Sequence, residues 1–273
     1  MVNQLFHKCQ VSQTIAILAF LLKENFKAFW FYVYTFFLFL FSLGLFLISG
    51  SAAQSIAGLL NVVILVNSLV SLTMSTVYFF NLRPFMALVL TQPISRTQVY
   101  LSCYASLVIP LTMSLILGIA IGAMFWGKGL AEQLPMVLLL LLSSILLTLG
   151  LSAIGFLFAS LVQDKTKGFA FALLTWLYLT FIYDGLILLL AIALNDYPVE
   201  YLVLGLVLAN PVSCARVLVL LSLNIAALMG ITAYVFKSVL SLWLGQLIIE
   251  VVLLIWIIIP LIVGVWCFRN KDL

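Results

Sequence analysis

The sequence predicts an all-α, polytopic membrane protein with six transmembrane helices. Three observations predict it. Of its 273 residues 66% are hydrophobic and 7% charged, where a soluble domain carries about 25% charged residues, so no water-soluble globule hides this much apolar surface. Six apolar runs are each long enough to cross a hydrocarbon core of about 30 Å, which takes about 20 residues of helix. The basic residues, finally, fall unevenly on the two sides of those runs.

Residues 1–273 read as one transmembrane domain. Its first element is an amphipathic helix over 13–28, lying in the interface. Ile15, Leu18, Leu22, Phe26 and Phe29 recur at helical spacing, with Lys23, Glu24 and Lys27 between them. The spans follow near Phe29–Ile48, Ile56–Phe80, Leu101–Trp126, Leu134–Val162, Phe169–Leu194 and Gln246–Phe268. Trp30, Trp126, Trp243 and Trp266 sit near span ends, where amphipathic rings favour the membrane interface.

The twelve Lys and Arg residues set the expected orientation. With the N-terminus inside, Lys8, Lys23, Lys27, Arg83, Arg96, Lys165, Lys167, Arg269 and Lys271 are cytoplasmic. Only Lys128, Arg216 and Lys237 fall outside, which predicts both termini in the cytoplasm. The net charge of +4 is too small and too scattered to argue for nucleic acid. The four cysteines are far apart and form no CxxC, and His7 is the only histidine, so neither a disulfide framework nor a His-cluster metal site is expected. Catalytic and metal-ligating residues are therefore expected to be absent.

Between the second and third spans lies a polar interruption, 81–100. Its core, LVLTQPISRTQ, carries a short apolar face, a proline turn and a hydroxyl beside an arginine. It reads either as a plain cytoplasmic loop or as a short helix along the membrane that docks into another protein. Leu88 and Leu90 stand about 200° apart on a helix, so one is expected to face the spans and the other a partner. Pro93 disfavours helix at Gln92, which suggests a bend, and Ser95 is placed to cap a following turn with Arg96 free beside it.

The third span holds Gly118 and Gly122, a GxxxG that lets helix backbones approach. GAMFWGKG at its end matches a phosphate loop, but has Gly129 where the magnesium-binding Ser or Thr belongs and follows no strand. The fourth span is rich in small and hydroxyl residues, from Ser143 to Gly155, and is expected to pack on other helices. The fifth carries Asp184, in the outer leaflet, and the sixth carries Glu250. A membrane carboxylate should face protein or water, either as a structural hydrogen bond, for instance to a fourth-span hydroxyl, or beside an internal cavity. Pro260 is expected to kink the sixth span.

The segment 195–242 is the longest on the outer side. Asn210 and Pro211 start a helix there, Asn as N-cap and Pro in the first turn. That helix, with Arg216 and Asn224 on it, is expected to lie on or dip into the outer face. Asn210, Pro211, Arg216 and Asn224 would then offer a docking surface.

At TQPISRTQVYL the chain resembles the membrane permeases of ABC-2-type transporters, and among them the NosY-type permease of the nitrous oxide reductase maturation transporter. The Lys23-Glu24 pair before the first span carries the resemblance, together with Leu88, Leu90, Pro93, Ser95, Arg96, Leu101 and Tyr104 after the second. Asp184 in the fifth span, the Asn210-Pro211 start of an arginine-bearing helix and the closing FRNKDL complete it. The order of these features covers essentially the whole chain. Asn81-Leu82-Arg83 departs from the family's usual Arg-Glu pair, Ser102-Cys103 from a common Gly-Lys, and Ser213 from an acidic residue.

The resemblance implies a half-transporter in a bacterial inner membrane. It implies a homodimer with two copies of a cytoplasmic ABC ATPase, and a periplasmic accessory subunit. The chain itself would bind no cofactor, since ATP and Mg belong to the partner ATPase. The coupling residues would be Leu88, Leu90, Gln92, Pro93, Ser95 and Arg96. In the resembled system the complex supports assembly of the copper centres of nitrous oxide reductase. An ABC-2 exporter of a lipid, drug or polysaccharide, and an integral membrane enzyme, are the alternatives.

Overall fold

The computed structural model describes residues 2–48, 52–124, 130–194, 200–222 and 242–270, with side chains from Gln13 onward except at 52, 53, 130–133, 200, 222 and 242. Every element among them is helical: α1 (Val2–Lys27), α2 (Phe29–Ile48), α3 (Ala52–Val89), α4 (Arg96–Met124), α5 (Leu130–Leu161), α6 (Lys165–Ala193), α7 (Glu200–Leu208), α8 (Pro211–Ser222) and α9 (Leu242–Arg269). Six of these, α2 to α6 and α9, are long and apolar enough to cross a membrane. The chain is thus an all-helical protein built for multiple crossings.

The small residues decide which helices touch. On α5, Ser143, Ser144, Thr148, Ser152 and Ala153 are all buried, and α5 packs most extensively against α3 and α9. Gly155 brings α5 against α3 so closely that a Cβ there would meet the Leu72 carbonyl oxygen at 2.8 Å. Thr76 Oγ1 donates to the Gly155 carbonyl across the same contact, at 3.2 Å. Gly118 and Gly122 do the same for α4 and α2. A Cβ at Gly118 would lie 2.6 Å from Leu38 Cβ, and Ser42 Oγ donates to the Ile119 carbonyl. The GxxxG therefore serves a crossing within the chain.

One boundary and one helix face differ from the sequence expectation. α3 does not stop at Phe80. It runs 38 residues, to Val89, straight through Pro84, a length of about 57 Å at 1.5 Å per residue. The segment 81–100 is therefore the end of α3, a tight turn and the start of α4, not a separate helix along the membrane. The N-terminal helix also presents a different face. Leu21 and Asn25 are buried, whereas Ile15 is 60% and Phe29 82% exposed. Asn25 selects that face: its Nδ2 donates to Tyr78 Oη at 2.8 Å and to the Ser106 carbonyl at 2.9 Å. A buried amide must find such partners, and that outweighs the apolar stripe. Lys23, Glu24 and Lys27 remain exposed.

A polar centre absent from the sequence expectation holds the bundle at mid-height. Asn67 on α3 is fully buried. Its Oδ1 accepts from Tyr34 Oη (2.9 Å), Ser71 Oγ (3.1 Å) and Thr148 Oγ1 (3.0 Å), and its Nδ2 donates to the Ser144 carbonyl (3.2 Å). One amide thus joins α2, α3 and α5.

Candidate functional site

One end of the bundle is basic. Arg83, Arg96, Lys165 and Arg269 gather there, and two of the arginines close helix ends. The last carbonyls of a helix lack intrahelical partners and carry partial negative charge, so a guanidinium fits them on both counts. Arg83, on the extension of α3, donates to the carbonyls of Ala159 (2.7 Å), Val162 (2.5 Å) and Gln163 (2.7 Å), the end of α5. Its guanidinium also lies 4.2 Å from the Phe80 ring centroid. Arg96, at the start of α4, donates to the Arg269 carbonyl at the end of α9, at 3.1 Å. Lys165 Nζ reaches Asn81 Oδ1 at 2.8 Å.

These contacts correct the expectation that Arg96 stands free. Its guanidinium is engaged with α9, because the helix C-terminus lies within reach and offers an acceptor.

The turn between α3 and α4 projects beyond those caps. Its backbone tightens: Thr91 N–H donates to the Leu88 carbonyl and Gln92 N–H to the Val89 carbonyl, as three-residue turns do at a helix end. Ile94 N–H then donates to the Gln92 carbonyl at 2.7 Å, a γ-turn pattern around Pro93. Ser95 Oγ accepts from Gln98 N–H at 3.3 Å and Gln98 Oε1 accepts from Ser95 N–H at 3.4 Å, a reciprocal capping box that starts α4. Leu88 is 67% exposed, while Leu90 packs partly into the core. Pro84, Ala87, Leu88, Thr91, Gln92, Pro93 and Ser95 together form an exposed, mixed apolar and polar knob without a charged group among them.

Behind the knob, Phe79, Tyr100, Phe156 and Phe268 are fully buried against one another. They come one each from α3, α4, α5 and α9. Phe79 meets Phe156 edge-on at 5.3 Å between centroids and Tyr100 meets Phe268 at 5.5 Å. The four helices that meet the knob or its arginine caps are thus packed together one turn inside.

The second polar locus lies far from this end. Asp184 on α6 does pair within the bundle, though not with a fourth-span hydroxyl. It forms an ion pair with Arg216 of α8, and its Oδ1 accepts from Ser213 Oγ at 2.7 Å. α8 does not offer the expected outer docking surface. Asn210, Pro211 and nearly the whole of α8 are buried among α3, α5, α6 and α9, as suits a helix apolar on almost all sides. Asn210 does cap α8, its Oδ1 accepting from Val212 N–H at 2.9 Å, but its Nδ2 is spent on the Leu179 carbonyl of α6 at 2.8 Å. Tyr201 and Leu202 of α7 are exposed instead. Glu250 is half-buried on α9, with no ion pair among the described residues. Asn224 lies outside the described residues. The structure brings Asp184, Asn210 and Arg216 together, and keeps them apart from Leu88, Pro93 and Arg96.

No protein-family model and no curated protein matches the chain.

Proposed function

We propose that the chain is the membrane permease subunit of an ATP-driven ABC-2-type transporter, driven through the α3–α4 turn by a separate cytoplasmic ATPase. The observation that carries this reading is the knob itself. An exposed, uncharged protrusion crowned by Leu88, on the basic end of a membrane bundle, suits an apolar groove on another protein. The packing behind it supports force transmission: a push on the turn bears on α3 and α4 directly, on α5 through Arg83 and on α9 through Arg96. The basic end is the cytoplasmic one under the same reading, with both termini on that side of a bacterial inner membrane.

Two copies of the chain would form the pathway, with two copies of the ATPase supplying ATP and Mg. The resemblance to NosY-type permeases directs the proposal to the complex that supports copper-centre assembly in nitrous oxide reductase. A periplasmic accessory subunit would meet α7 at Tyr201 and Leu202 rather than Asn210 or Arg216.

The test is purification of the tagged full-length chain from native membranes, with identification and ATPase assay of what accompanies it. The expected result is a co-purifying ATP-hydrolysing subunit that is lost from Leu88→Glu while membrane levels of the chain stay normal. Undiminished recovery with Leu88→Glu would contradict docking at the knob.

A further inference from the structure

The α7–α8 hairpin turns back into the bundle, the two helices bent by 115° to one another. Trp256 Nε1 of α9 reaches the Leu208 carbonyl at 3.5 Å, and the other polar anchors between the hairpin and its neighbours reach one short stretch of α6. Tyr183 Oη donates to the Leu206 carbonyl at 2.7 Å, just before the bend. At the bend, Asn210 Nδ2 holds the Leu179 carbonyl. One to two turns into α8, Ser213 and Arg216 hold Asp184. That stretch contains the one π-helical turn of α6, Tyr178–Ile182, closed by a bond from Tyr183 N–H back to the Tyr178 carbonyl. A π turn carries one residue more than the α-helix around it, and such turns sit where a helix shifts or bends.

We propose that the Asp184–Arg216–Ser213 cluster is a latch. It fastens the re-entrant helix α8 to the irregular turn of α6, and its opening frees α8 to move relative to α6. The cluster is the natural release point. Its two charged side chains are 24% and 28% exposed, whereas the Asn210 anchor is fully buried. Asp184 is the sole ionic partner of Arg216 among the described residues, and Arg216 Nε is buried without an acceptor. Beyond Arg216, Val217 to Leu221 are buried and apolar, so no further polar side chain among them restrains α8. An unpaired charge at membrane depth is costly, so the latch has two well-separated conditions, paired and shut, or open with both charges re-solvated. The latch rests on this geometry, whatever the chain transports.

Cys214 is a native reporter. It lies on α8 between the two latch residues, fully buried, its thiol donating to the Val207 carbonyl at 3.2 Å. In the full-length chain with Cys9, Cys103 and Cys267 changed to Ser, N-ethylmaleimide labelling in membrane vesicles reads the exposure of α8. Asp184→Asn and Arg216→Gln should each speed labelling about tenfold or more, since opening of α8 then lacks its ionic restraint. The charge exchange Asp184→Arg with Arg216→Asp should return labelling to near the parent rate. Parent-rate labelling in Asp184→Asn would overturn the latch, and so would a monodisperse exchange variant that labels as fast as the single changes. If the exchange variant aggregates on size exclusion, Ser213→Ala decides. A rate raised about two- to threefold supports the latch, and an unchanged rate overturns it. Neither an ATPase nor a cargo enters the measurement, so its failure is distinct from failure of the permease reading.

Discussion

Asn67 joins three helices through its one side-chain amide. Replacing it by Leu strips Tyr34 and Ser71 of their acceptor, while Thr148 Oγ1 keeps the Ser144 carbonyl, and each buried polar group left unpaired costs about 1–3 kcal/mol. Tyr34→Phe removes one donor and leaves Oδ1 with Ser71 and Thr148, at a cost of about 0.5–1.5 kcal/mol. Thermal denaturation in detergent, followed by size exclusion, should place Asn67→Leu well below Tyr34→Phe. The sequence carries the signal as Asn67, Ser71 and Ser75 at four-residue spacing, but a reading that weighs ionisable groups first passes over a neutral amide. Arg83 illustrates the complementary limit. Its position in the sequence says only that it lies at a span end, while its three carbonyl partners lie 76 to 80 residues away. Arg83→Ala should cost about 1–2 kcal/mol through loss of the α5 cap and the Phe80 contact. Arg83→Lys should recover only part of it, since a point charge does not reproduce the guanidinium fork. The same denaturation assay checks both.

Among elements, the crossings set by glycine were the most legible. Gly118 and Gly122 announce close approach, though not that the neighbour is α2, since a motif specifies a surface and not its partner. Gly155→Ala places a Cβ against the Leu72 backbone and should destabilise the α3–α5 contact by about 1–3 kcal/mol. At Gly44 on α2 an added methyl group would meet nothing within 4 Å, so Gly44→Ala should be neutral or stabilising by up to about 1 kcal/mol. Opposite shifts in melting temperature would bear this out. Helix ends were harder to read. The polar stretch from Asn81 suggests an end to the span at Phe80, yet the chain stays helical to Val89 because Arg83 and Met86 are held against the bundle. Whether α8 lies on the outer face or dips inward stays open in the sequence for a related reason. Arg216 looks too costly to bury until Asp184 is seen beside it.

At the scale of the whole molecule, the six helices long and apolar enough to cross a membrane follow from composition and run length, which are local. The arrangement of the ends is then fixed by pairs distant in sequence. Arg96 on the Arg269 carbonyl and Arg83 on the end of α5 place the ends of α5 and α9 at the α3–α4 turn. Three candidate spans separate that turn from α7, so single cysteines at Gln92 and Tyr201 should label from opposite sides of the membrane. A membrane-impermeant reagent should reach the cysteine at Tyr201 in intact cells and the one at Gln92 only after permeabilisation. Labelling of both from one side would contradict the proposed topology.

The central proposal, that the α3–α4 turn receives an ATPase, is tested most directly by photo-crosslinking from Leu88 in intact membranes. A photoreactive residue at Leu88, exposed on the knob, is compared with one at Phe36, exposed on the mid-section of α2. The account predicts that position 88 yields one discrete adduct with a nucleotide-binding ATPase subunit, and that position 36 does not. Adducts from position 88 only to lipid, or none to any ATPase while the chain is present at normal level, would contradict it.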